Sequence, residues 1–235
     1  MPKTLESLID GVDCLAVLGD PGTQVAGLAY DSRKVKEGDL FVAIPGTRQD
    51  GARFIGDAIR RGARVVVAET LPEGCDDVVL VQVSDSRNAL ARMAANFYDH
   101  PSRRMQLIGV TGTNGKTTTT LLMESILKKA GYTVGVLGTL GYRWGKENRT
   151  APMTTPESLD LQSFFHQMLE DGVSHVVMEV SSHALALGRV EGCVFRAGVF
   201  TNLSQDHLDF HATMEDYFAA KAILFRDPSL SCGED

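Results

Sequence analysis

The residues of this chain most able to do chemistry lie in one glycine-rich run, GVTGTNGKTT, at positions 109–118. An apolar segment, 105–108, precedes the run and a helical pattern, 119–130, follows it, so the order is strand, turn and helix. Backbone N–H groups in such a turn and at the helix N-terminus attract an anion. We therefore predict a phosphate-binding loop, whose members are Gly112, Thr113, Asn114, Gly115, Lys116, Thr117 and Thr118.

Two side chains of this loop carry specific roles in the prediction. Lys116 would reach the β- and γ-phosphates of a nucleotide, and the Thr117 hydroxyl would hold Mg²⁺. The match to the strict phosphate-loop pattern is imperfect, because Val110 stands where the pattern has its first glycine. The alternative is a glycine-rich turn with no special chemistry.

A carboxylate and a histidine follow two later strands. Glu179 lies near the end of an apolar run, 174–180, where a charge is costly unless it is paired or binds a metal. His207 lies in a polar loop, 201–211, that follows a strand, and we predict a metal or phosphate role for it. The alternatives are a glutamate paired with a nearby lysine or arginine and a histidine with a structural role only.

A lysine stands on the apolar face of the last predicted helix, 214–225. The inward stripe at helical spacing consists of Met214, Tyr217, Phe218, Lys221, Ala222 and Phe225. Lysines are almost never fully buried unless they are paired, although one that snorkels to the surface is the alternative. Beside a metal and phosphate, desolvation would lower the pKa of Lys221 and make its neutral amine reactive.

The elements that must position these residues form two predicted units. Residues 1–100 read as a small α/β unit with strands at 25–30, 40–44, 64–68 and 78–83 and helices at 54–62 and 86–98. The run His100-Pro101-Ser102 supplies the boundary. The second unit alternates strand and helix at 105–110, 117–130, 133–137, 158–171 and 174–180, which implies a mainly parallel sheet with helices on its faces. Ligands bind at the carboxyl ends of such strands, where Glu179 and His207 fall.

Composition narrows the class of protein. The 235 residues are 43% hydrophobic and 23% charged, with a net charge of -7, which argues against a nucleic-acid-binding protein. The apolar runs are too short for membrane insertion, and the N-terminus lacks the apolar core of a signal peptide. The four cysteines are far apart, which favours free thiols. We expect a cytoplasmic protein, a monomer, that binds small molecules.

Taken together, the motifs resemble the Mur ligase family over nearly the whole chain and in order. The matching runs are DSRKV at 31–35, GDLFVA at 38–43, GTNGKTT at 112–118, TTP at 154–156, MEVSSH at 178–183, the loop 201–211 and KAILF at 221–225. The resemblance is strongest to the members that add the third residue of the peptidoglycan peptide, because TTP, EVSSH and the loop occur together.

The resemblance implies a three-domain, ATP- and Mg²⁺-dependent amide ligase. An N-terminal domain, 1–100, would hold the substrate UDP-MurNAc-L-Ala-D-Glu, and a central phosphate-loop domain, 101–235, would hold ATP. The chain is expected to stop within the central domain, before the C-terminal domain that binds the incoming amino acid. Diaminopimelate is favoured over L-lysine as that amino acid.

The resemblance also implies roles for individual residues. It places Ser32, Thr47, Arg48 and Gln49 against the uridine nucleotide and Thr154, Thr155, Ser181 and Arg189 against the muramoyl peptide. Lys116, Glu179, His207 and Lys221 match catalytic positions. Lys221 would be carbamylated and would hold a second Mg²⁺ with Glu179 and His207. Leu187 departs from the glutamine that contacts substrate in some members, so the resemblance does not support that contact here.

Two other readings stay open. One is a related ligase, such as a folylpolyglutamate or cyanophycin synthetase, against which the DSR run argues. The other is a nucleotide- or UDP-sugar-binding module without turnover.

Overall fold

The computed structural model describes residues 2–46, 50–75 and 77–230. The chain divides into two compact units, Met1–Asp99 and His100–Asp235. Both units are built on mainly parallel sheets with helices, so the predicted α/β class is confirmed. In the part of the chain described, no helix combines the length and apolar character needed to cross a membrane.

The first unit is a five-stranded sheet with a two-stranded addition. Its elements are β1 (Lys3–Thr4), α1 (Leu5–Leu8), β2 (Cys14–Leu18), β3 (Gln24–Val25), β4 (Leu28–Ala29), β5 (Leu40–Val42), α2 (Ile55–Arg60), β6 (Val65–Ala68), β7 (Val79–Val83) and α3 (Ser86–Phe97). The sheet order is β2-β7-β6-β5-β4, and β4 to β7 run parallel. The central strands β5 and β6 are buried along their whole length, as continuous apolar runs in parallel sheets are.

One prediction for the first unit was wrong, and one strand was not predicted. The predicted strand 25–30 is broken into β3, which pairs with β1, and β4, which pairs with β5. Gly27 lies at the break, where a Cβ would lie 2.7 Å from the Asp39 carboxylate. Strand β2 was missed, although its residues are all apolar. It is the antiparallel edge strand of the sheet, and Leu15 and Leu18 are 60% and 53% exposed.

The second unit is a six-stranded sheet. Its elements are β8 (Gln106–Thr111), α4 (Lys116–Lys129), β9 (Val134–Gly138), β10 (Gly141–Trp144), β11 (Glu147–Arg149), α5 (Ser158–Glu170), β12 (His175–Glu179), α6 (Ser182–Ala186), β13 (Ala197–Phe200) and α7 (Met214–Arg226). The sheet order is β11-β10-β9-β12-β8-β13, in which β9, β12, β8 and β13 are parallel. A core of side chains such as Leu107, Leu137 and Phe165 packs on the sheet.

The hairpin β10–β11 interrupts the predicted strand-helix alternation. It runs antiparallel to β9 and is closed by the two residues Gly145 and Lys146, with Gly145 at φ 52°. A two-residue loop that contains glycine is the usual hairpin connection. The Gly145-Lys146 turn is the sequence signal for the hairpin. Its strands, of four and three residues, are too short to show a clear alternation of apolar and polar residues.

Helix positions were predicted better than helix faces. In α4, the apolar residues Leu121, Leu122 and Ile126 are exposed, and Met123 and Leu127 pack against the sheet instead. In α7, Tyr217, Lys221 and Ala222 are buried as predicted. The prediction was wrong for two residues of the inward stripe of α7, because Phe218 is 42% exposed and Phe225 is 48% exposed.

The two α7 phenylalanines lie at the edge of the sheet. Their rings contact Phe200 of the edge strand β13, with centroid distances of 6.4 Å from Phe218 and 6.1 Å from Phe225. Ala220 and Leu224 take the buried positions instead. A helix that packs over an edge strand buries a narrower face than a helix over the centre of a sheet. Helical spacing alone does not show how wide the buried face is.

Candidate active site

Parallel pairing brings the carboxyl ends of four strands together. Glu179 at the end of β12 pairs with Val110 of β8, and Phe200 at the end of β13 pairs with Thr111. Gly138 ends β9 on the other side of β12. The loops that follow these strands therefore share one edge of the sheet, the place where ligands bind in such folds.

The predicted phosphate loop runs from Gly112 to the start of α4. Gly112 has φ 140°, and a Cβ there would overlap the Thr201 hydroxyl, so the close approach of these two loops needs a glycine. Gly115 is the N-cap of α4, and the first intrahelical bond runs from Thr119 N–H to the Gly115 carbonyl. The N–H groups of residues 116–118 precede that bond and form the positive end of the helix dipole.

Two amides of the predicted phosphate loop have partners within the protein. The Thr113 N–H donates to the Asn202 carbonyl at 2.9 Å, and the Asn114 N–H donates to the Asn202 side-chain oxygen at 3.1 Å. The Thr201 hydroxyl in turn donates to the Asn114 carbonyl at 2.7 Å. Thr201 and Asn202 thus shape the loop, a role that the sequence did not reveal. Because the N–H groups of Thr113 and Asn114 already have partners, the predicted phosphate site is limited to the N–H groups at the start of α4.

Two lysines converge on the turn. Lys116 Nζ donates to the carbonyl oxygens of Gly112 and Thr113 at 2.8 and 2.9 Å, and Lys221 Nζ donates to the same Gly112 oxygen at 3.0 Å. Burial lowers the pKa of Lys116, against the opposing charges of Glu179 and Asp206. Burial and then repulsion by Lys116 lower the pKa of Lys221 to about 8, although Asp206 opposes the shift.

Tyr217 connects these groups, and sequence reasoning assigned it only to the core. Its side chain is fully buried, and its hydroxyl lies 3.1 Å from the Thr113 hydroxyl. Lys221 Nζ lies 4.4 Å from the centre of its ring, a cation–π contact that favours the ammonium form. Tyr217 therefore helps to hold the buried lysine beside the predicted phosphate loop.

Glu179 is almost fully buried, and its carboxylate accepts three hydrogen bonds. The Thr117 hydroxyl donates to Oε1 at 2.9 Å, the Thr139 N–H donates to Oε1 at 3.1 Å, and the Thr139 hydroxyl donates to Oε2 at 3.1 Å. A Cβ at Gly138 would overlap this carboxylate, so the strand end must be glycine. These partners take the place of the lysine or arginine that the alternative reading required, and Thr139 was missed because its loop has no motif.

The residues that could bind the predicted Mg²⁺ are those whose oxygen atoms the structure brings together. A threonine hydroxyl and a carboxylate are the hard oxygen ligands that Mg²⁺ prefers, so Thr117 and Glu179 fit that ion. Among the described residues, no group of three or more His, Cys, Asp or Glu side chains is placed to hold a metal. A metal-binding role for His207 and Lys221 stays a prediction.

His207 lies in a cluster of histidine rings. Its backbone has φ 53°, and its Nε2 lies 3.7 Å from the Asp206 carboxylate. Its ring meets His183 edge-on at 4.9 Å, and His183 also contacts His211, whose Nε2 lies 2.9 Å from the Ser182 hydroxyl. Burial lowers the pKa values of His183 and His211, and the neighbouring histidines add to the effect.

The four residues predicted to contact the muramoyl peptide follow β12 or precede α5. The Thr155 hydroxyl is committed within the protein, because it donates to the Glu179 carbonyl at 2.9 Å and accepts from the Ser181 N–H at 3.0 Å. Ser181 caps α6, Thr154 lies 3.1 Å from the Thr139 hydroxyl, and Arg189 pairs with Glu157 at 3.3 Å.

A separate cavity of about 510 Å³ lies in the first unit. Its lining is Tyr30, Asp31, Ser32, Arg33, Ile44, Gly46, Gly51, Phe54 and Asp57. The Ser32 hydroxyl bonds to Asp57, and this bond, followed by one from Arg61, lowers the pKa of the Asp57 carboxyl. The other predicted uridine-binding residues, Thr47, Arg48 and Gln49, lie outside the described residues.

Each of the two units matches a family model. Residues 110–231 match the Mur ligase middle domain, and residues 24–98 match the Mur ligase family catalytic domain.

Whole-chain relatives point the same way. A UDP-N-acetylmuramoyl-L-alanyl-D-glutamate--2,6-diaminopimelate ligase of Clostridium acetobutylicum is 48% identical over 97% of this chain and 47% of the relative. One from Solibacter usitatus is 52% identical over 86% of this chain and 41% of the relative. The chain thus spans about half the length of the curated relatives it matches.

Solved structures resemble the fold as a whole. A structure of a UDP-N-acetylmuramoyl-L-alanyl-D-glutamate--2,6-diaminopimelate ligase superposes with a TM-score of 0.80 at 30% identity, covering 96% of this chain and 45% of that one. The MurF ligase of Thermotoga maritima in complex with ADP has a TM-score of 0.58 at 28% identity, covering 83% and 42%.

Proposed function

Because this chain belongs to the Mur ligase family, we propose that it provides the nucleotide-sugar and ATP sites of an amide ligase. The reaction joins diaminopimelate, the third amino acid of the peptide, to UDP-MurNAc-L-Ala-D-Glu. The diaminopimelate ligases among the relatives support diaminopimelate over L-lysine. Cleavage of ATP supplies the energy, through an acyl phosphate formed on the substrate carboxylate.

The observation that carries the proposal is the meeting of four groups at one edge of the second sheet. Lys116 and Lys221 share the Gly112 carbonyl, and Thr117 contacts Glu179. Cationic, hydroxyl and carboxylate groups around a helix N-terminus suit a nucleotide phosphate with its metal ion.

The reaction brings two anions together, a carboxylate and the γ-phosphate of ATP, so the site must offset their repulsion. Lys116 and the first amides of α4 bind the phosphates and neutralise charge as the transferred group moves. Thr117 and Glu179 would hold Mg²⁺, and the ion would supply charge neutralisation at the phosphate oxygens.

Lys221 contributes in a modified form. With its pKa at about 8, a fraction of the side chain is a neutral amine near neutral pH, and the neutral amine is the form that adds CO₂. The resulting carbamate is an oxygen ligand suited to Mg²⁺ and would act with His207 and Glu179. Carbamylation replaces a cation that repels Lys116 with an anion that attracts it.

The cavity of the first unit takes the uridine end of the substrate. Ser32 and Phe54 line it, one polar and one aromatic, as recognition of a nucleobase and ribose requires. Its rim at Gly46 and Gly51 flanks the segment that holds Thr47, Arg48 and Gln49.

The proposal is tested by binding and turnover together. Calorimetric titration of the chain with a non-hydrolysable ATP analogue plus Mg²⁺, and separately with UDP-MurNAc-L-Ala-D-Glu, should show one site for each. Phosphate release is then measured with ATP, the UDP substrate and either diaminopimelate or L-lysine. Binding without phosphate release favours the module reading, and absence of both binding events overturns the proposal.

A further inference from the structure

Thr139, which follows β9, connects the metal-binding carboxylate with a residue assigned to the peptide. Its hydroxyl lies 3.1 Å from Glu179 Oε2 and 3.1 Å from the Thr154 hydroxyl. Thr139 thus stands between two parts of the active site that are 25 residues apart in the chain.

The direction of these hydrogen bonds follows from proton counting. A threonine hydroxyl has one proton, and the Glu179 carboxylate has none to give. The Thr139 proton is therefore used on Glu179, and the Thr154 hydroxyl must supply the proton between the two threonines. Thr154 has then used its only proton as well, and it presents lone pairs to any group beyond it.

From this chain of hydrogen bonds, and resting on the proposed function, we propose that Thr139 is a positioning residue that makes Thr154 a hydrogen-bond acceptor for an amide N–H of the peptidyl substrate. A Thr154 hydroxyl that can only accept favours a substrate N–H over an ester oxygen or a carboxylate. Neither of these oxygens has a proton to donate, so they would leave both lone pairs of the Thr154 oxygen without a partner. Thr139 thereby contributes to selection of the peptide.

The backbone provides a way to separate this role from support of Glu179. The Thr139 N–H also donates to Glu179, at 3.1 Å, and that bond does not depend on the side chain. Replacement by valine keeps the shape and the N–H but removes the hydroxyl. The variant should therefore keep the carboxylate in place while it frees the Thr154 proton.

The experiment compares an amide with an ester. UDP-MurNAc-L-Ala-D-Glu and two analogues, in each of which one peptide N–H is replaced by an ester oxygen, are titrated calorimetrically into the unmodified chain and into Thr139→Val, Thr139→Ser and Thr154→Val. Thr133→Val is the matched control, since exposed Thr133 lies at the other end of β9. Thermal melting checks that each variant is folded.

The expected result is a preference for the amide over one ester analogue of about tenfold in the unmodified chain, in line with one hydrogen bond. The preference should persist in Thr139→Ser and Thr133→Val and fall to about twofold or less in Thr139→Val and Thr154→Val. An undiminished preference in folded Thr139→Val, or none in the unmodified chain, overturns the inference while leaving the proposed function in place. Failure of the unmodified chain to bind the substrate overturns both.

Discussion

Lys116 and Lys221 donate to the same acceptor, the carbonyl oxygen of Gly112, although one lysine starts α4 and the other lies in the middle of α7. Two ammonium groups on one carbonyl repel each other, and Lys221 is 1% exposed. Burial and repulsion by Lys116 both destabilise the charged form of Lys221, which lowers its pKa to about 8. The charge of the buried lysine therefore depends on pH and on its neighbour Lys116.

The first prediction concerns stability against pH. The pKa of Lys221 is lower in the folded chain, about 8, than its ordinary value of 10.5. Between these values the unfolded chain binds more protons, so this lysine makes the free energy of unfolding rise with pH, by at most about 1.4 kcal/mol per pH unit. Lys221→Met should remove that contribution. Denaturant unfolding at pH 7.5 to 10 measures it, with exposed Lys129→Met as the control; equal pH slopes in the two variants would contradict the assignment.

The second prediction concerns ATP. Lys116→Ala removes the cation at the start of α4 and should weaken binding of ATP with Mg²⁺ by about 10- to 100-fold, as expected for a charge-assisted hydrogen bond. The thermal midpoint should change little, because the side chain packs against backbone carbonyls and not in the core. Lys129→Ala, in the last turn of the same helix, should bind as the unmodified chain does. Unchanged affinity in Lys116→Ala would count against the phosphate-loop assignment.

The third prediction concerns Gly138. An added Cβ would overlap the Glu179 carboxylate, so Gly138→Ala should displace that side chain and cost about 1–3 kcal/mol of unfolding free energy. It should also reduce the Mg²⁺ dependence of nucleotide binding. Gly56→Ala in α2 is the control, since its Cβ would come only within 3.6 Å of Arg60 and the change suits a helix. A Gly138→Ala variant with unchanged stability and Mg²⁺ response would show that the strand end has room that the structure does not indicate.

The fourth prediction concerns carbamylation of Lys221. In a full-length ligase of this kind, Lys221→Ala should lose most activity, and acetate or another short carboxylate should restore part of it by supplying the missing oxygen ligand. Lys221→Arg should not be restored, because it keeps a cation where an anion is needed. Mass or density measurements that show unmodified Lys221 in an active, CO₂-equilibrated enzyme would refute the idea.

The fifth prediction concerns the cavity of the first unit. Ser32→Ala removes the hydroxyl that bonds to Asp57 and should weaken UDP-MurNAc-L-Ala-D-Glu binding by about tenfold. It should also raise the pKa of Asp57 toward its ordinary value, which NMR titration of the side-chain carboxyl measures. Ser7→Ala, at an exposed serine in α1 of the same unit, serves as the control. An Asp57 pKa that does not move in Ser32→Ala would contradict the bond.

Family membership, the α/β class and the strand, turn and helix that carry the predicted phosphate loop could be predicted from the sequence. The strand, turn and helix around 106–129 form from residues close in the chain, so glycine placement and apolar spacing are enough to predict them. Glu179 and Lys221 could be singled out for a similar reason, since a charged residue within an apolar pattern is visible without any tertiary contact.

Only the tertiary structure decided which groups meet. Lys221 and Gly112 are 109 residues apart in the chain. The hydrogen bond between them depends on the place of β13 beside β8 in the sheet and on the packing of α7, which follows β13. The same holds for Thr139 beside Glu179, and for Phe218 and Phe225, which cover an edge strand where helical spacing predicted burial. Local patterns record the periodicity of a single element, whereas contacts between elements follow from sheet order and register, which a single sequence does not display.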